Sequence, residues 1–367
     1  MWASAGQFSD LGGAIYLRAS TLVLDGVHVT GNSAPVGGGV YLFQGISHQI
    51  FNSTFSSNTS GNCGAFMMDS TEIVVGNTTV SGNTASSSGG GVCVNGFANV
   101  TLRNLTIASN TAGVRGGGIY HQAGATRMGS SIVAANTSPD GPDIRLDAGS
   151  IISAGYNLIG TNTTVEVRFP AGNPNAANDI VGTSAGPISP NLGPLADNGG
   201  TRHVPTRSLL NSSPAIDKGN SFGSFADQRG LARPVDLVSS PNAAGGDGAD
   251  IGAFEAQAPT AAAVSISGRI ETPEGSGLTN AIVMLSDANG NVRPARSSSF
   301  GYFRFDDVTV GETYIVTVSS KRYTFTPIAI ALTDAVTDMI LVADSSNENK
   351  RKDLGISAKG SETQRKR

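Results

Sequence analysis

A repeat of 25 to 27 residues dominates the first 140 positions, and few folds accept such a period. Gly-rich starts recur at Gly12-Gly13-Ala14-Ile15-Tyr16, Gly37-Gly38-Gly39-Val40-Tyr41, Asn62-Cys63-Gly64-Ala65-Phe66, Gly89-Gly90-Gly91-Val92-Cys93 and Gly116-Gly117-Gly118-Ile119-Tyr120. Their fourth positions, 15, 40, 65, 92 and 119, are spaced by 25, 25, 27 and 27 residues. A second marker, Asn32, Asn58, Asn83, Asn110 and Asn136, keeps steps of 26, 25, 27 and 26. Two independent markers sharing one step identify a repeat architecture.

Reading back from each Asn exposes the core. Three residues earlier stand Val29, Phe55, Val80, Ile107 and Val133; eight earlier stand Leu24, Ile50, Val75, Leu102 and Met128. Between them lie Gly26, Asn52, Asn77, Asn104 and Ser130, residue types that tolerate a left-handed bend. Each repeat is therefore a few short period-2 strands separated by turns, with no helical period. One such coil cannot bury its apolar side or pair its backbone. Stacking coils about 4.8 Å apart does both, and like residues then form ladders. The Asn column reads as a structural ladder of amide hydrogen bonds, which also accounts for the Asn-x-Ser/Thr sequences at Asn77, Asn104 and Asn136. Ile159 and Asn162 continue the period once more. The expected fold is all-β: a right-handed parallel β-helix, a single-stranded solenoid, over residues 1–165.

Composition agrees with many short strands and tight turns: Gly supplies 48 of 367 residues and charged residues are only 14%. The net charge of −4 hides an asymmetry, because residues 350–367 hold seven Lys/Arg against Asp353 and Glu362. That tail is thus +5 and the remainder −9; residues 344–367 are expected to be a disordered basic end, with contact to an acidic envelope polymer as the sharper alternative. No basic stripe with interleaved aromatics supports nucleic-acid binding. No run of 18 apolar residues supports a membrane span, and Met1–Asp10 has neither a basic start nor an apolar core. Further chain carrying an export signal is expected ahead of the first coil. Matching Cys63 to Gly90 and Cys93 to Phe66 offsets the two sulfurs by three residues, about 10 Å, so two free thiols are expected.

These Gly-Gly-x-Ile-Tyr and Gly-Asn-Thr-Ala repeats resemble the pectate-lyase-like β-helix superfamily, especially bacterial surface proteins with polymorphic-outer-membrane-type repeats. Tyr156-Asn157-Leu158-Ile159-Gly160, Asn198-Gly199-Gly200, Ser213-Pro214-Ala215-Ile216-Asp217, Asp227-Gln228-Arg229-Gly230 and Asp250-Ile251-Gly252-Ala253-Phe254-Glu255 resemble the closing region of the choice-of-anchor Q family. That resemblance implies an exported bacterial protein, secreted or held at the cell surface. Residues 166–256 then read as a cap over the cut end of the β-helix. In it, Asp227, Arg229, Arg233, Asp250 and Glu255 stand as structural ion pairs; the alternative is that Asp247 and Asp250 help hold Ca²⁺. After a small-residue linker at 257–263, residues 264–343 read as a small antiparallel β-sandwich. Ser297–Phe303, Phe305-Asp306, Gly311-Glu312-Thr313-Tyr314 and Ser319–Phe325 resemble the carboxypeptidase-regulatory-like domain, which implies a transthyretin-like fold without a peptidase centre.

A β-helix hosts many polysaccharide enzymes, but fold alone does not license catalysis. Between residues 12 and 140 the acids are only Asp25, Asp69, Glu72 and Asp140, and the four histidines occupy unrelated coil positions. No zincin, P-loop or nucleophile-elbow motif occurs, and no catalytic residue, metal or cofactor is expected. The better ligand candidates are Tyr16, Tyr41, Phe66 and Tyr120, read as matching places with Cys93 interrupting. If the Ile15 column points inward, pleat alternation turns this row outward, where it faces sugar rings. The competing reading packs the row inward or under a loop. The expected function is a non-catalytic exported stalk engaging polysaccharide or cell-envelope components. The alternative is a carbohydrate-active lyase or hydrolase whose catalytic residues lie outside this chain. Oligomeric state is not legible.

Overall fold

The computed structural model describes residues 2–4, 11–237, 240–257, 263–287, 290–332 and 334–344. The basic tail and most of the linker lie outside these residues. No helix occurs among the described residues. The chain divides into two compact units, Met1–Ala258 and Pro259–Arg367.

The first unit is a parallel β-helix of six stacked coils, with three sheets running along it. Sheet C collects Ile15–Arg18, Val40–Phe43, Phe66–Asp69, Val92–Asn95, Ile119–His121 and Ile144–Leu146. Sheet A is the largest and is bent into two limbs, typified by the ten-residue strands Glu72–Ser81 and Asn99–Ala108. Sheet B is the short side: Ser33–Val36, Thr59–Asn62, Thr84–Ala85 and Thr111–Ala112. The bend in sheet A falls on the expected column, where Gly26, Asn52, Asn77, Asn104 and Ser130 have φ of 65°, 51°, 44°, 54° and 47°. Short polar side chains and Gly take this left-handed backbone at least cost. Inside, Val29, Phe55, Val80, Ile107, Val133 and Ile159 pair in register from coil to coil. All six are fully buried.

The asparagine column forms a continuous ladder in the corner between sheets A and B. Each Asn donates both its backbone N–H and its Nδ2 to the Oδ1 of the next, at 2.9–3.0 Å, from Asn32 through Asn58, Asn83 and Asn110 to Asn136. The small residues of the Gly-rich starts make room for it. A Cβ on Gly39 or Gly91 would stand 3.4 or 3.3 Å from the amide carbon of Asn58 or Asn110. Asp143 occupies the same column one coil beyond Gly118, and its side chain fills the space reserved for the next amide. Its Oδ1 accepts Asn136 N and Nδ2 at 3.1 and 3.0 Å, while Oδ2 accepts Thr161 N at 2.8 Å. The ladder therefore ends on Asp143, and Asn162 bonds instead to Phe169 O. A second polar column behaves alike: Ser131 N meets Asn157 Oδ1, and Asn157 in turn donates to Asp179 Oδ1. Both buried carboxylates are raised in pKa by burial, Asp143 to about 6, against the pull of the N–H donors.

Residues 166–256 fall into two parts. Val165 and Phe169 enter the core beyond the last coil, and Ile180–Val181 adds a strand to Leu158–Ile159. From about residue 188, however, the chain runs back along the outer face of sheet A as a strap. The outward residues Thr54, Thr79 and Thr106 are buried beneath it. Gln228 bridges two coils, donating to Thr54 Oγ1 at 2.7 Å and accepting from Thr79 Oγ1 at 2.6 Å, while Ala253 N donates to Thr106 Oγ1 at 3.0 Å. A second apolar core lies under the strap, where Leu209, Ala215, Ile251 and Phe254 meet Ile132 and Leu158. Arg202 reaches Asp25 in the first coil at 2.9 Å.

The strap is closed by buried charge. Arg229 Nη2 meets Asp227 Oδ2 at 2.7 Å with its guanidinium 3.6 Å from the Phe254 ring centre. Arg233 Nε meets Glu255 Oε2 at 2.7 Å and donates onward to Gly252 O, Phe254 O and Asn77 Oδ1. Asp250 is held by the backbone N–H groups of Asp217 and Ala256 rather than by an arginine. Burial, then the neighbouring Glu255 charge, pushes its pKa up to about 7. Asp247 accepts from Ser221 N, Ser221 Oγ and Ala249 N.

The second unit is a two-sheet sandwich. Ala263–Glu271 lies between Tyr302–Thr309 and Val336–Val342; opposite are Val292–Arg296, Ile282–Ser286, Thr313–Ser319 and Ile328–Ala331 in that order. Ile266, Ile270, Val283, Leu285, Phe303, Phe305 and Val316 fill the space between. One pairing differs from the all-antiparallel expectation: Ala263–Glu271 and Val336–Val342 run parallel. The last strand crosses from the opposite sheet and arrives in the same sense as the first.

Candidate functional site

The outer face of sheet C carries the aromatic residues picked out by the repeat, with one correction. Cross-strand pairing runs Tyr16–Tyr41–Met67–Cys93–Tyr120–Arg145. Phe66 instead pairs with Val40 and Val92, is fully buried, and packs against Phe55 with ring centres 5.0 Å apart. The third Gly-rich start is displaced by one residue, because Ala65 rather than Gly64 fills the small-residue column beside the Asn ladder. A one-residue slip exchanges the two faces of a strand, so Phe66 moves from the row into the core.

The same slip conceals a disulfide. The expectation of two free thiols is overturned: Cys63 and Cys93 are bonded, with Cα atoms 5.5 Å apart. Cys63 has φ of 65° and pairs in sequence register with Gly37 and Gly89, whose φ values are 66° and 73°. At this left-handed corner residues i and i+4 come side by side, as the 3.4 Å contact of Cys63 Sγ with Met67 Sδ shows. The linear count of 10 Å therefore does not apply. Gly89 has no side chain, and a Cβ there would collide with Cys93 Sγ, so its absence opens the path to Cys63.

A second outward row lies beside the first. Tyr16 and Tyr41 have ring centres 5.6 Å apart, Phe43 stands 6.3 Å from Tyr41, and the Arg18 guanidinium sits 5.5 Å from the Phe43 ring. Tyr41 Oη donates to Asp69 Oδ2 at 3.4 Å, and Asn95 Nδ2 reaches the same oxygen at 3.5 Å. Burial, then Asp69, raises the Tyr41 pKa to about 12, so its hydroxyl stays protonated. Farther along, Tyr120 Oη donates to Asp147 Oδ2 at 2.7 Å, while Arg115 and Arg145 pair with that carboxylate at 3.1 and 2.6 Å. Between the two aromatic groups, Met67 and the disulfide form a buried patch against Tyr41 and Tyr120. Tyr16 is 44% exposed, which leaves ring surface for a ligand.

The histidines are placed separately. His121 points inward, in register with Val94 and Leu146, with Nδ1 2.9 Å from Ala148 O. His48 Nδ1 accepts Leu22 N at 3.0 Å, so it too is a neutral ring inside the coil; burial lowers the pKa of both. His28 meets Ser56 Oγ at 2.7 Å, and His203 faces Asp197 at 3.0 Å in the strap.

Fold and site together define a parallel β-helix with a lateral strap, an aromatic and carboxylate strip on one face, and a β-sandwich unit after it. No protein-family model matches the chain, and none of the curated proteins matches it.

Proposed function

We propose that the chain is an exported surface protein whose β-helix binds glycans along the outer face of sheet C without cleaving them. The observation that carries this reading is the strip itself. Aromatic faces at coil spacing suit the C–H faces of successive sugar rings, and Asp69, Asn95 and Asp147 suit their hydroxyls. The strip carboxylates are engaged by tyrosine and arginine side chains, an arrangement for recognition rather than proton transfer. The Cys63–Cys93 disulfide supports export, because such bonds persist in oxidising compartments. The motif resemblances extend the proposal: membership of the pectate-lyase-like superfamily, a strap of choice-of-anchor Q type, and a carboxypeptidase-regulatory-like sandwich, with a bacterial cell surface as its setting.

A glycan array probed with wild type and Tyr41→Ala tests the reading. Loss of an anchoring ring is expected to reduce binding on the order of tenfold. Equal signals, or no signal from wild type, would remove the strip from consideration. Release of reducing ends from uronic-acid polymers, with or without Ca²⁺, would favour the enzymatic alternative.

A further inference from the structure

We infer that the sandwich unit carries its own site for an acidic polysaccharide, at the edge marked by Arg296. Residues 264–344 hold six Lys/Arg against nine Asp/Glu, so this stretch, the sandwich itself, is acidic. Its cations are nevertheless sorted. Arg269 and Arg304 pair with Glu271 and Asp306 at 2.8 and 2.6 Å, and Arg293 is bound to the carbonyls of Asp306 and Asp307. The remaining three, Arg296, Lys321 and Arg322, line one concavity of about 720 Å³. Among the described residues no acidic side chain lines it, and none of the three has a carboxylate partner.

Three exposed cations gathered on one concavity make a local positive potential that attracts an anion. The site is also shaped in advance. Asn280, at φ of 57°, bonds Ser297 O through its backbone N–H and accepts Arg296 Nη1 on Oδ1 at 3.0 Å, which orients the guanidinium. Thr279, Ser319 and Ser320 add hydroxyls.

The ligand is a sugar polymer rather than a lone anion because of what adjoins the site. Arg296 also lines a second concavity of about 510 Å³ on the outer face of the neighbouring sheet, with Arg269 and Arg304 and the carboxylates Glu271 and Asp338. There Tyr302 is 57% exposed, with the Arg269 guanidinium 5.5 Å from its ring. An aromatic platform for a ring beside a cationic pocket for its carboxylate or sulfate describes an anionic glycan. This site is independent of the strip on the β-helix.

The full chain is titrated by calorimetry with polygalacturonate, dextran sulfate, neutral dextran, inorganic phosphate and a single-stranded oligonucleotide. Polygalacturonate or dextran sulfate is expected to bind, whichever is better naming the anion, with neutral dextran silent and affinity falling as salt rises. The triple variant Arg296→Gln, Lys321→Gln, Arg322→Gln is expected to lose about tenfold or more, since each charge-assisted bond is significant. Tyr302→Ala is expected to weaken the polymers alone. Undiminished binding by a triple variant with unaltered circular dichroism overturns the proposal. So does phosphate matching the polymers, or the oligonucleotide outcompeting them.

Discussion

Replacing Asn83 by alanine removes four hydrogen bonds from the middle of the amide ladder. Its Oδ1 accepts the Asn58 backbone N–H at 3.0 Å and Asn58 Nδ2 at 2.9 Å; its Nδ2 donates to Asn110 Oδ1 and Phe55 O, both at 2.9 Å. Two neighbours keep a partner, because Asn58 Nδ2 still has Val29 O and Asn110 Oδ1 still has the Asn83 N–H. The Asn58 N–H, fully buried, loses its side-chain acceptor, at a cost of about 1–3 kcal/mol. The other three bonds contribute about 0.5–1.5 kcal/mol each, so the total falls at about 2.5–7.5 kcal/mol. Urea unfolding followed by far-ultraviolet circular dichroism reads this directly. The neighbouring Thr84→Ala, at an exposed position, serves as control and is expected to stay within about 0.5 kcal/mol. A loss for Asn83→Ala no larger than the control's would refute the ladder as a source of stability.

Three further outcomes are expected. Closing a loop with a sequence separation of 30 through Cys63–Cys93 stabilises by about 3–4 kcal/mol, so Cys93→Ser or reductant should lower the midpoint, and alkylation without reductant should find no thiol. Asp143 holds its proton to about pH 6 when folded, against 3.8 as the ordinary value, so the folded state binds more protons across that window and stability falls as pH rises through it. The stability advantage of wild type over Asp143→Asn should therefore shrink by about 2 kcal/mol between pH 4 and 6, measured by parallel urea titrations. Arg233→Met leaves Glu255 buried and unpaired, which costs about 3–5 kcal/mol; limited proteolysis should then cut within residues 188–256, where wild type resists.

The periodic part of this fold was legible because each coil repeats one set of physical demands. Small residues beside the ladder, left-handed bends at Asn52 and Asn104, and apolar ladders such as Phe55–Val80–Ile107 each leave a mark every 25–27 residues. The errors arose where one coil departs from the others. Ala65 in a glycine place shifted the apparent register by one, which misplaced Phe66 and hid the disulfide. Asp143 ends the ladder from only seven positions past Asn136, a closeness that no fixed period announces. The strap was the least legible feature, because its contacts with Thr54, Thr79 and Thr106 span about 150 residues without periodicity. One signal was available: outward threonines recurring at matching coil positions on a face that would otherwise be exposed. The sandwich strands were readable from their alternation, but the gathering of Arg296 with Lys321 and Arg322 depends on which strand ends meet.

The central claim is that neighbouring coils stack in register, which places Ser33, Thr59, Thr84, Thr111 and Thr137 in one column along sheet B. Spin labels at Ser33 and Thr137, 104 residues apart in sequence, should then report a backbone separation of about 19 Å, four coil spacings of about 4.8 Å. The Thr59 and Thr137 pair should be shorter by one such spacing. A broad distribution, or separations that do not rise by one spacing per coil, would contradict the stacked architecture.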